Sequence, residues 1–391
     1  MNILLYSWSS TGQKNLSEEF LKMGHNVDQV SIRYKDFDND PEFTEALTNV
    51  MNKKKYDVVF SYNYFPIISN VCNTMEVKYI GWVWDSPLLT LYSKTIYNSC
   101  NYIFIFDKAL YNDLKSKEIN QVYYLPLGTN VDNLDQIKTD DSDDKKYGSE
   151  ISFVGNLYTE KNFYDQINYL PDYLKGYLEG IMKAQLKIFG YNFLEELLTD
   201  DIMKEIRKYV KFDLGSDYFA SDAKVFSNLF LGQKVTALER VKVLDMLSKR
   251  YPIQLYTDSE TKNLLPMIRN NGYIDYDKVM PKVFKLSKIN LNITLRNIQT
   301  GIPLRIFDIM GAGGFLITNY QEELLDYFEP GSDFIYYEDW DDLINKIDYF
   351  LVHEEERKQI AKNGYRKVKE QHSIRQRLED MFHRVFKSMV K

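Results

Sequence analysis

A chain of 391 residues exceeds what one hydrophobic core usually organises, so its length argues for two domains. With 44% hydrophobic and 27% charged residues it is globular in composition, neither collagen-like nor disordered. A formal net charge of −7 lacks the basic footprint of a nucleic-acid-binding protein, and no apolar run approaches the length that spans a bilayer. Two unclustered cysteines, Cys72 and Cys100, make neither a disulfide scaffold nor a zinc site and point to a reducing cytoplasm. The first residues have the wrong length and flanks for a signal peptide and read as a first strand.

Short apolar runs alternate with amphipathic segments through the first third. Strands are expected at 2–6, 26–30, 58–61, 79–83, 102–106 and 122–125, with helices near 15–23, 42–52, 67–75, 89–99 and 108–117. Six strands with helices between them predict a doubly wound α/β domain over 1–138. The run Asp140-Asp141-Ser142-Asp143-Asp144-Lys145-Lys146 is the most hydrophilic in the chain and reads as a surface linker, 139–149. Asp141-Ser142-Asp143 matches a short Asp-x-Asp metal-binding pattern, as does Asp36-Phe37-Asp38, but without flanking apolar strands both read as solvated segments. A second α/β domain, 150–372, restarts with Ile151-Ser152-Phe153-Val154-Gly155-Asn156 and carries a helical insertion at about 176–250. The helical block is broken near Gly215. Strands resume at 253–256, 272–275, 289–294, 315–318 and 334–337, with helices at 280–285, 304–310 and 341–350. A basic helical pair ends the chain.

Two such domains would bind ligands in a cleft lined by the carboxyl ends of both sheets. The most informative stretch for that chemistry runs from Thr300 to Asn319. Pro303 suits a first helical turn, and Gly301 before it admits close approach to the backbone. The free N–H groups of that helix end would attract a diphosphate. Arg305 and Asp308, three apart, share one face and offer a cation and a carboxylate together; Gly311, Gly313 and Gly314 end the helix. Equally, these residues read as an ordinary helix–turn–strand unit. Asn156 and Lys161, in the first strand–helix loop of the second domain, are further diphosphate contacts, and Arg296 after a strand should reach the cleft. Tyr276 could hold a base. In the first domain, the loop Ser7 to Lys14 is a polar loop without the Gly-Lys-Ser/Thr pairing of a P-loop. Asp85, between Trp82, Trp84 and Pro87, sits at the carboxyl edge of a strand, where the flanking rings would desolvate it and strengthen it as a general base. The competing reading makes Asp85 or Ser86 the cap of a helix beginning at Pro87. Asp107 has the same setting with a stronger claim as a cap. The four histidines are scattered and form no metal cluster or triad.

The set Ser152-Phe153-Val154-Gly155-Asn156, Lys288-Ile289-Asn290-Leu291-Asn292 and Gly301-Ile302-Pro303-Leu304-Arg305-Ile306-Phe307-Asp308, with Gly313-Gly314-Phe315, resembles the bacterial spore-maturation-type (CgeB-like) glycosyltransferases. Glu355 to Gly364 and His372 fit as well, so the resemblance covers about 150–375, and Trp84-Asp85-Ser86-Pro87 extends it to the first domain. It implies a metal-independent enzyme of the GT-B fold, two Rossmann-like domains with a C-terminal helix, 373–391, crossing back to the first. The donor would be a nucleotide sugar, UDP-linked, and the acceptor a protein or cell-envelope glycan; membrane contact would be peripheral at most. In related retaining enzymes two glutamates flank the phosphate-binding helix. Asp308 takes the second place, on the ribose hydroxyls, whereas the first falls on Thr300, which is no carboxylate. Two other readings stay open: a sugar-nucleotide epimerase on the same fold, and a sugar-nucleotide-binding protein without turnover.

Overall fold

The computed structural model describes residues 1–8, 13–160 and 162–386. The chain forms two compact units, Met1–Leu127 with Asp213–Ala220 and Ile374–Lys391, and Gly128–Phe212 with Ser221–Ser373.

The first unit is built on a six-stranded parallel sheet: β1 (Asn2–Tyr6), β2 (Asn26–Val30), β3 (Val58–Tyr62), β4 (Lys78–Trp82), β5 (Asn101–Ile105) and β6 (Val122–Tyr124), in the order β2-β1-β3-β4-β5-β6. The central strands are continuous apolar runs because helices cover both faces; every residue of β3 is buried. Helix Pro41–Met51 starts where the Asp40 carboxylate accepts from Phe43 N, and Lys108–Ser116 starts where Asp107 accepts from Ala109 N. The helix expected at 89–99 is replaced by two 3₁₀ turns, Leu89–Tyr92 and Lys94–Tyr97. Ser93 between them is extended because it pairs with Tyr218, and Phe219 N and Lys94 N donate to Tyr92 O (2.9 Å) and Asp217 O (2.8 Å). The helix Ile374–Phe386 packs in this unit too: Phe382 stacks on Phe20 at 5.6 Å, and Arg377 Nε donates to Leu127 O. Cys72 and Cys100 are free thiols buried here; burial pushes both thiols up, Cys100 to about 11.

The second unit carries β7 (Ser149–Val154), β8 (Ile253–Tyr256), β9 (Ser287–Asn292), β10 (Leu316–Asn319) and β11 (Ile335–Tyr337), all parallel, in the order β11-β10-β9-β7-β8. The chain winds outward from β7 in one direction and from β9 in the other, so the loops leaving these two neighbours flank the switch point of the sheet. The acidic run expected as a linker is instead a helix, Asp141–Tyr147. Asp140 and Asp143 close a capping box on it, and Asp143 pairs with Lys282 at 2.7 Å. No strand forms at 272–275. After the single bridge from Leu255 to Asn270 the chain turns away at Gly272, and the Asp275 carboxylate folds back to accept from Asp277 N and Lys278 N. The helical insertion comprises Asp172–Gln185, Asp200–Arg207 and Asp222–Phe226, the last running through a π-helical stretch into Gln233–Ser248.

The segment that sets the site is the helix Leu304–Gly311 between β9 and β10. Pro303 is its N-cap residue, one place before the first turn. At its other end Gly314 N donates to Ile309 O and Gly313 N to Met310 O, both 2.9 Å, with Gly313 at φ +81°. This Schellman arrangement requires the left-handed residue that glycine supplies without strain. Gly314 is needed for a different reason, since a Cβ there would lie 2.7 Å from both Phe284 O and Asn290 Nδ2. Gly314→Ala should therefore lower stability by about 1–3 kcal/mol in urea unfolding. An unchanged midpoint would show that β9 gives way without cost.

Candidate functional site

The sequence-derived residues of the second unit that are described lie on loops at the carboxyl edge of its sheet or on the helix that follows, but their side chains do different things. Asn156 leaves β7 and is committed to its own loop. Its Oδ1 accepts from Tyr158 N (2.5 Å) and its Nδ2 donates to Asp258 Oδ1 (2.8 Å), tying the β7 and β8 exits together. Lys161 and the loop residues 9–12 lie outside the described residues.

Arg296 is a correction. It is buried, and its Nε and Nη2 meet both carboxylate oxygens of Glu239 at 2.7 and 2.8 Å. Its Nη1 donates to Ile188 O at 2.7 Å, and its guanidinium lies 4.3 Å from the centre of the Phe189 ring. A buried cation with a partner at each of its three nitrogens holds the β9 exit loop in place. Next to Glu239, the buried Arg240 donates to Ile293 O, at 3.1 Å from Nε, and to Asn156 O. Helix Gln233–Ser248 thereby clamps the loops on both sides of the switch point. Sequence reasoning missed both residues.

Past this clamp the chain reaches Thr300 and Gly301. The segment after β10 holds them: Gln321 Nε2 donates to Gly301 O (2.8 Å), Glu323 N to Thr300 O (3.2 Å), and Thr300 Oγ1 to Glu323 Oε1 (2.6 Å). Glu323 is 1% exposed. The position where the resemblance calls for an acid is thus a threonine backed by a buried acid from another loop. Two adjacent glutamates, Glu322 and Glu323, were the available signal, but nothing in their spacing says which is buried.

On the helix, Asp308 is 1% exposed. Its Oδ1 accepts from Tyr276 Oη and Thr129 Oγ1, both at 2.9 Å. Its Oδ2 is buried without a hydrogen-bond partner among the described residues, 3.6 Å from Arg305 Nη1. Arg305 therefore shares a face with Asp308, yet its guanidinium is turned inward, donating to Met280 Sδ and lying 5.6 Å from the Phe284 ring centre. Burial pushes the Asp308 carboxyl above the usual carboxylate range, with Arg305 and the two hydroxyls pulling the other way. A carboxyl raised in the folded state binds its proton more tightly there, so its ionisation costs stability as pH rises past about 4. Asp308→Asn, which does not titrate, should gain on the wild type as pH rises above about 4 in urea unfolding. Parallel stability curves over that range would contradict the assignment.

In the first unit, Asp85 follows β4 but is exposed rather than enclosed; Trp82 is fully buried in the sheet. No helix begins at Pro87, so neither Asp85 nor Ser86 is a cap, and Ser86 Oγ instead donates to Asp107 Oδ2. The Asp85 carboxylate is held by Asn63, whose Nδ2 donates to Oδ2 at 2.7 Å while its Oδ1 accepts from Trp84 N and Asp85 N. Asn63 adopts φ +62°, which asparagine tolerates better than most residues. Among the described residues no group of three or more His, Cys, Asp or Glu side chains is arranged to hold a metal ion, and no helix is long and apolar enough to cross a membrane.

Two Rossmann-like units with parallel sheets define the class: this is the GT-B fold. Sucrose-phosphate synthase from Thermosynechococcus elongatus is similar over 99% of this chain and 100% of its own, with a TM-score of 0.60 at 12% identity. HepE from Anabaena, in complex with UDP and glucose, is similar over 98% and 99%, with a TM-score of 0.58 at 10% identity. A glycosyltransferase from Rickettsia africae is similar over 98% of each chain, with a TM-score of 0.54 at 14% identity. No curated protein matches the chain. Residues 237–383, which carry Tyr276, Thr300, Arg305 and Asp308, match the family described as glycosyl transferase-like. That match on that fold supports glycosyl transfer.

Proposed function

We propose that the protein moves a sugar from a UDP-linked donor to a hydroxyl of a protein or cell-envelope glycan, without a metal, as in the spore-maturation-type enzymes it resembles. The observation that carries this reading is the start of helix Leu304–Gly311 beside the switch point, next to a buried Asp308 with one oxygen unmatched. Ile306 N donates to Pro303 O at 3.0 Å, but the N–H groups of Leu304 and Arg305 precede any carbonyl of the helix that could take them, and with the helix dipole they suit the charge of a departing diphosphate. Asp308 Oδ2 is an acceptor suited to a ribose hydroxyl, and Tyr276 Oη, now on Oδ1, is a group such a ligand would compete with. UDP is favoured because a protein of this fold, HepE, has been captured with UDP and glucose.

If transfer inverts the anomeric centre, a base must take the acceptor proton. Asp85 is our candidate. Asn63 holds one of its oxygens, leaving an exposed carboxylate of fixed orientation at the edge of the first unit's sheet.

UDP at millimolar concentration should raise the melting temperature by several degrees, as mass action requires of a ligand that binds only the native state. Absence of any shift with UDP would sink the donor assignment. Asp85→Asn should reduce kcat with UDP-sugar turnover by about 100-fold or more while sparing UDP binding; full activity in that variant would remove Asp85 from the mechanism.

A further inference from the structure

The helical insertion carries a pocket that shares no residue with the candidate donor site. It lies where the chain enters helix Asp172–Gln185 and holds about 390 Å³. All of it precedes the glycosyl transferase-like match, which begins at residue 237. Tyr164 and Tyr169 share its wall with Asp165, Asn168, Asp172 and Lys175. Tyr169 is 65% exposed, and Tyr209 meets it edge-on at 5.7 Å. Tyr173, 61% exposed, is tethered through its Oη to Glu205 Oε2 at 2.9 Å. The rings are thus held in place while open to water. Tyr164 buries its Oη with no hydrogen-bond partner among the described residues, a state that costs about 1–3 kcal/mol. Burial, with Glu179 and Asp165 nearby, pushes this phenol up to about 12, so it stays neutral and can both donate and accept.

Charge narrows the ligand. Asp165 is paired with Lys234 at 2.7 Å and accepts from Asn162 Nδ2 at 2.9 Å, while Lys175 faces Glu179 at 4.0 Å. Among the described residues, each cation at the pocket therefore has a carboxylate of its own, which leaves no surplus positive charge for a phosphate or a sugar acid. Tyrosine rings can take the C–H face of a pyranose, and amide, carboxylate and phenol groups can take its hydroxyls. We infer that this pocket binds a neutral glycan chain, with Tyr169 as the stacking platform and Asn168 and Asp172 on the sugar hydroxyls. Such a site keeps a glycan on the protein by sugar units remote from any that reacts. The binding does not depend on the UDP reading above.

The test is calorimetry on the full chain with maltopentaose, cellopentaose and chitopentaose. At least one should bind with a Kd of about 1 mM or tighter, and an oligogalacturonate of the same length should not. Tyr169→Ala should weaken binding about 10-fold or more, whereas Tyr169→Phe, which keeps the ring, should stay within about 3-fold of the wild type. Tyr169 is exposed, so both variants should keep the wild-type melting temperature. Failure of all three neutral glycans, unchanged affinity in Tyr169→Ala, or equal binding of the oligogalacturonate overturns the inference. So does a dimer in light scattering that Tyr169→Ala dissolves, because the patch would then serve a second copy of the chain. Glycan binding is scored without UDP, so failure here and failure of the donor assignment are read separately.

Discussion

The candidate donor site depends on two adjacent side chains that no ligand would touch. Glu239 and Arg240 leave the same helix and reach the two loops on either side of the sheet's switch point. Glu239 takes Arg296, and Arg240 takes the carbonyls of Ile293 and Asn156. Both are buried, so the charges are held where partial loss of a partner is expensive. A buried ion pair contributes little net stability compared with a well-packed apolar pair, but it tolerates few alternative geometries. That trade suits a site that must hold backbone N–H groups and a carboxylate at fixed separation.

Downstream of the clamp, the geometry follows from the chain. The β9 exit loop carries Thr300 and Gly301 to the helix start, the helix carries Asp308 three residues past Arg305, and the double glycine returns the chain to β10. β10 then delivers Gln321 and Glu323 back to the loop where the helix began. The site is therefore closed on itself. Its two acids come from different places: Asp308 from the helix, Glu323 from the following loop.

Much of the fold was legible because parallel strands covered on both faces are continuous apolar runs; β1, β3, β7 and β10 follow that signal within a residue or two. The helix Leu304–Gly311 was legible from Pro303 at one end and the glycines at the other. Where local signals misled, a distant partner or a side-chain turn decided the backbone. Ser93 is pulled straight by Tyr218, and Asp275 bends a segment whose composition reads as strand. The polar clamps were harder still. Arg296 stands after a strand, where a cation facing a ligand would stand, but the carboxylate that claims it is 57 residues away. Thr300 and Glu323 are 23 residues apart, and Asn63 and Asp85 are 22. Hydrogen-bonded pairs of this kind leave no periodicity, so composition and spacing cannot announce them.

The burial of Cys72 and Cys100 has a practical corollary. A thiol whose pKa is pushed up by an apolar surrounding is a poor nucleophile, so both cysteines are shielded from alkylating probes by chemistry as well as by access. The protein thus comes with a silent thiol background. One cysteine introduced on an exposed residue of either unit would be its sole fast-reacting position, ready to carry a dye or spin label without first stripping out the native pair.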